Sequence, residues 1–93
     1  MQIMLDKVRL ALRITHDRLD SELLDLINAC IYDLTIAGIN KIDESDPLIQ
    51  QVVKTYCKAE YEEDVQKANR LNQAYVSLKI ALCLSGEYTA GGE

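Results

Sequence analysis

An all-α fold, a compact bundle of about four helices, is predicted by three features of the 93-residue chain. Apolar residues recur at helical spacing in four successive stretches. Helix starts and stops punctuate those stretches, most clearly at Gly38, Asp46-Pro47 and Ser85-Gly86. The apolar share of 48% is enough for a packed core. No stretch approaches the run of about 18 apolar residues that a membrane span needs.

Leu5, Val8 and Leu12 repeat at i, i+3 and i+7, which predicts a helix over about 5–12. No Ser, Thr or Asp precedes it, so its start is expected to be weakly capped. Arg13 to Asp17 breaks the period, and the β-branched pair Ile14-Thr15 suits an extended corner. His16 has no Cys partner nearby and reads as a surface turn residue.

Asp20 is a suitable N-cap for a helix over 20–37. Leu23, Leu24, Leu26, Ile27, Cys30, Ile31 and Leu34 make its broad apolar face, and Glu22, Asp25, Asn28, Tyr32 and Asp33 lie opposite. Burying five or six such side chains is worth on the order of 10 kcal/mol before chain entropy. That makes this helix the expected centre of the core. Gly38 fits the left-handed position after a helix end.

Residues 39–45 have no period and read as a loop. Asp46 caps and Pro47 opens a third helix over 47–63, whose buried face is expected to be Leu48, Ile49, Val52, Val53, Tyr56 and Ala59. Acids at Glu60, Glu62, Glu63 and Asp64 are unfavourable at a helix C-terminus, so a break is expected there. Asp64 then caps a fourth helix over 66–84; one continuous long helix is the alternative. Ser85-Gly86 closes a single domain, 1–86, and 87–93 is expected to be a flexible C-terminal tail. Tyr88 could anchor that tail to a partner and order it on binding.

The fourth helix is apolar on two sides. Leu71, Tyr75, Leu78 and Leu82 cluster within roughly 40° on a helical wheel, an ordinary core stripe. Val76, Ile80 and Cys83 fall roughly 120–180° away and form a second stripe. A second layer of the same chain or another subunit must cover it. With few helices to spare, Val76, Ile80 and Cys83 are read as a subunit interface.

Composition excludes several function classes. Cys30, Cys57 and Cys83 lie far apart with no C-x-x-C and only His16 beside them, which fits no zinc pattern and suits buried thiols. The net charge of −5 disfavours non-specific nucleic-acid binding. Charge is unevenly placed, with eleven acids and three bases in 20–64 but three bases and no acid in 65–86. Such blocks could complement each other between copies. No phosphate loop, nucleophile elbow or metalloprotease motif is present, and the acids at 60–64 lack the glycine and alternating ligands of a calcium loop. The chain is read as a non-enzyme without cofactor or metal. A helix-turn-helix reading fails because the second helix is acidic where it would meet phosphate. Met1 to Leu12 lacks the apolar run of a signal peptide, so a soluble protein made in a cytoplasm is expected.

Leu5-Asp6-Lys7-Val8-Arg9-Leu10-Ala11-Leu12-Arg13-Ile14-Thr15, followed by Asp20-Ser21-Glu22-Leu23-Leu24, resembles the opening of the small α-helical phage head–tail connector proteins, also known as phage DNA-packaging proteins. Asp46-Pro47-Leu48-Ile49 and Tyr56-Cys57-Lys58-Ala59 match the middle of that pattern. Gln73 to Lys79 and Leu82 to Tyr88 match its end. Met4 departs from it where relatives often carry a capping residue, as does Glu60 to Val65 where they often carry a turn.

The resemblance implies a virion neck protein assembled in the host cytoplasm. Copies would form a ring beneath the portal protein, twelvefold to match it, extend the DNA channel and give a platform to the next neck or stopper protein. Double-stranded DNA would be passing cargo only, and no membrane is involved. On this reading Glu87, Tyr88 and Thr89 belong to a portal-binding tail, and Asp43 and Glu44 are candidates to line the channel. The alternative is a small acidic phage-encoded module that inhibits a host protein.

Overall fold

The computed structural model describes residues 2–89, and no strand forms among them. Four helices follow in order: α1 Gln2–Leu12, α2 Asp20–Ile36, α3 Pro47–Tyr61 and α4 Val65–Leu84. α3 packs against all three other helices, and α4 lies chiefly on α3. The centre of the bundle is therefore α3 rather than α2. The core joins Met4, Leu5 and Val8 of α1 to Leu23, Ile27, Cys30 and Leu34 of α2. Ile49, Val52, Val53 and Cys57 of α3 complete it, with only Tyr75 and Leu82 from α4. No helix of the described residues is long and apolar enough to cross a membrane.

The helix ends show which local signals act. The Asp46 carboxylate accepts from Leu48 N at 2.8 Å with Pro47 at the first helical position. Asp64 accepts from Gln66 N and Lys67 N at 2.9 and 3.2 Å, so α3 stops at Tyr61 and α4 starts afresh. Gly38 takes a φ of 99° and closes α2 with paired bonds, Gly38 N to Thr35 O and Ile39 N to Leu34 O, both 3.0 Å. That bonding is a Schellman motif, and Ile39 and Leu34 supply the apolar contact that accompanies it.

Three expectations need correction. Asp20 does not cap α2: the capping position is Leu19, and the Asp20 carboxylate instead receives Arg9 Nε and Nη2 at 2.9 and 3.1 Å. A guanidinium in reach of both oxygens outcompetes the helix's own N–H groups. α1 begins at Gln2, three residues early, because the Glu44 carboxylate from the distant loop accepts from Met4 N at 3.2 Å. A carboxylate there meets the positive end of the helix dipole. Leu48 is half exposed rather than buried, since it occupies the first turn of α3 beyond the core.

α1 ends in a second Schellman motif, with Arg13 N to Leu10 O at 3.1 Å and Ile14 N to Arg9 O at 2.9 Å. Here the left-handed position, φ 60°, holds Arg13 instead of glycine. The clash of Cβ with the backbone costs about 1–2 kcal/mol, part of which a glycine returns through unfolded-state entropy. Arg13→Gly is therefore expected to stabilise the fold by roughly 0.5–1 kcal/mol, raising Tm by about 4 °C. Calorimetry checks this, and an unchanged or lower Tm would show that the exposed guanidinium contributes more than the strain costs.

Candidate assembly surface

α4 presents Tyr75 and Leu82 to α3, with Leu71 and Leu78 half-buried beside them. The same helix turns Val76 and Ile80 outward at 44% and 52% exposure, and Leu84 at 82%. No element of the described chain covers them. Cys83 is half-buried at the edge of this stripe, its Sγ 3.4 Å from Ala37 O. The outer stripe of α4 is thus an unpartnered apolar face on a folded domain. It lies between a depression lined by Asn72, Gln73, Val76 and Ser77 and the open C-terminal end of the helix.

A polar cluster sets α4 against α2. Tyr75 Oη donates to Asp33 Oδ2 at 2.5 Å, and Lys79 Nζ reaches the same oxygen at 2.9 Å. Lys79 also stands 5.3 Å from the centre of the Tyr75 ring, and the Tyr56 ring meets Tyr75 edge-on at 5.2 Å between centroids. The Tyr75 hydroxyl, followed by Lys79, lowers the Asp33 pKa, while burial and that hydrogen bond raise Tyr75. Burial pushes the Cys30 and Cys57 thiols up to about 12, so both are inert at neutral pH.

The tail expected from Glu87 onward does not trail away over its first residues. Tyr88 O accepts from Asn40 N at 2.7 Å and Lys41 N at 3.2 Å, and Thr89 forms an antiparallel bridge with Ile39. Tyr88 Oη donates to Asp46 Oδ2 at 2.8 Å, which raises the phenol pKa. One carboxylate therefore caps α3 and holds the tail. Residues 90–93 of the expected tail lie outside the described ones.

Of the channel candidates, Asp43 is exposed and, among the described residues, bound only within its own turn, accepting from Ser45 N and Oγ, contacts that lower its pKa. Glu44 is half-buried and engaged at the start of α1. His16 is exposed, its Nδ1 accepting from Arg18 N. Among the described residues no group of His, Cys, Asp and Glu is arranged to hold a metal ion.

The family model for phage connector proteins matches residues 4–89. The chain belongs to the phage connector protein family. No curated protein and no solved structure gives a match. A phage neck role follows for this connector, and its family is a structural one. The family match spans α1 through the Tyr88 contact, so the unpartnered α4 stripe and the docked start of the tail are both parts of the connector domain.

Periodicity found the α4 stripe but not that Tyr32 and Ile36 of α2, each 69% exposed, stand beside it. The wheel does place Tyr32 outward; what it lacks is that α4 stands next to it.

Proposed function

We propose that this connector forms a ring beneath the portal, twelvefold to match it, using the Val76, Ile80 and Cys83 edge of α4 as the contact between copies. The carrying observation is that stripe, apolar and uncovered on a chain whose core is otherwise complete. Repeating one modest contact around a closed ring gives a strength that no single interface has. The ring extends the DNA channel and serves as the platform for the next neck or stopper protein. Excess acid suits a channel through which DNA slides without sticking, and exposed Asp43 is better placed for that lining than Glu44.

The segment from Glu87 through Tyr88 and Thr89 is the portal-binding element, released from Asn40, Lys41 and Asp46 when the portal takes it. Purified connector is expected to co-purify with the portal of its own genome, and deletion of 87–93 is expected to abolish that association. Undiminished binding by the truncated chain would overturn the role of the tail. Asp43→Lys is expected to slow DNA passage and lower the yield of infectious particles, while circular dichroism still shows a folded domain because the bonds lost are confined to the exposed turn at Ser45. Normal yield would remove Asp43 from the channel.

A further inference from the structure

α2 and α4 run parallel, and their outer sides make one surface. Bonds across the seam join Cys30 to Tyr75, Asp33 to Tyr75 and Lys79, and Cys83 to Ala37, at chain separations of 45, 42, 46 and 46. A residue of α2 is therefore level with the residue about 45 further on in α4. On the wheel, Asp25, Tyr32 and Ile36 point away from the core about a right angle from Asp33. Gln73, Val76, Ile80 and Leu84 stand in the same relation to the seam on α4. Both sets are exposed and face the same way.

We infer that, in the free protein, this α2–α4 face is covered by the same face of a second copy, related by a two-fold axis running along the helices. Such an axis leaves every height unchanged and lays α2 of each copy on α4 of the other. Asp25 then comes level with Arg70 of the second copy, and Ile36 with Ile80. Tyr32 comes level with the depression lined by Gln73, Val76 and Ser77.

Charge selects this axis. Asp20 and Asp33 of α2 are already held by Arg9 and Lys79 within the chain, so the contrast offered to a second copy is Glu22 and Asp25 of α2 against Lys67 and Arg70 of α4. The other in-plane two-fold, across the helices, would stack α2 on α2 and acid on acid. Only the axis along the helices pairs opposite signs, and an isologous pair does so twice.

The overlapping helices are about 25 Å long and together about 20 Å wide, so each copy offers about 500 Å². That is the lower end of specific interfaces, and the pair is a weak one with Kd in the micromolar range. The inference rests on reading the α4 stripe as a contact between copies. Because the pair occupies the stripe that the ring uses, it must open for the ring to form.

Sedimentation equilibrium of the full chain across the micromolar range tests this without the portal. Wild type is expected to show a monomer–dimer equilibrium. Asp25→Arg and Arg70→Asp are each expected to raise Kd by about tenfold, since every substitution counts twice. The double variant is expected to return within a few-fold of wild type. Ile80→Arg, on an exposed site, is expected to give a folded monomer by circular dichroism. A wild type monomeric throughout, species larger than dimers, or a double variant no tighter than the singles would each overturn the two-fold pair. Portal binding is read separately: a solution monomer that still assembles on the portal sinks the pair alone, and a charge-dependent dimer that ignores the portal sinks the ring alone.

Discussion

Glutamate at both Val76 and Ile80 is expected to abolish ring assembly on the portal while the four-helix fold stays intact. Both side chains are about half exposed in the folded chain, so the isolated domain has little to lose. Glutamate is also a better helix former than Val or Ile. In the assembled state the same positions lose apolar burial worth about 1 kcal/mol each, and a buried carboxylate without a partner adds a larger desolvation cost. The penalty recurs at every contact of the ring. Assembly measured by light scattering in the presence of portal should fall by at least about a hundredfold, with circular dichroism and Tm near wild type. Full assembly by this variant would place the copy-to-copy contact elsewhere.

Tyr75→Ala is expected to be the most damaging single substitution in α4. The helix contributes only Tyr75 and Leu82 to the buried core, so its attachment depends heavily on one ring. Truncating a buried aromatic costs about 3–5 kcal/mol, a large part of the total for a domain of this size. Tyr75→Phe keeps the packing against Tyr56 but removes the hydroxyl from Asp33, and should cost about 1–2 kcal/mol. Urea unfolding of the two variants separates packing from hydrogen bonding. Equal losses would show that the hydroxyl carries the whole effect.

The same cluster predicts an acid limb. Asp33 has a lowered pKa in the folded state, so its contribution is present above its unfolded value near about 4 and is lost as pH falls through the folded one. Asp33→Asn should flatten the decline of Tm below about pH 4. An unchanged slope would mean that other carboxylates govern it.

Much of the fold was legible because its signals are local. Asp46-Pro47, Asp64 and Gly38 each act on backbone groups within a few residues, and each does so in the structure. The features that escaped are long-range or conformational. Glu44 serves Met4 forty residues away, Arg9 takes Asp20 from its expected capping bond, and Arg13 holds a left-handed position that its residue type does not announce. The Tyr75–Asp33–Lys79 cluster also depends on which helices become neighbours, and periodicity carries no information about that. The α4 stripe was visible on a wheel because exposure of Val76 and Ile80 is a property of one helix. Its extension across Tyr32 and Ile36 required the register between two.

The central claim is that this connector closes into a ring on the portal. The measurement that tests it most directly is the mass and symmetry of the complex formed when the purified chain is mixed with the portal of its own genome, by native mass spectrometry and electron microscopy. A closed ring docked on the portal, with twelve connector chains and α4 of each copy against its neighbour, is the predicted result. A stable monomer or dimer standing beside an intact, undecorated portal would contradict it, and would favour a small acidic module directed at a host protein.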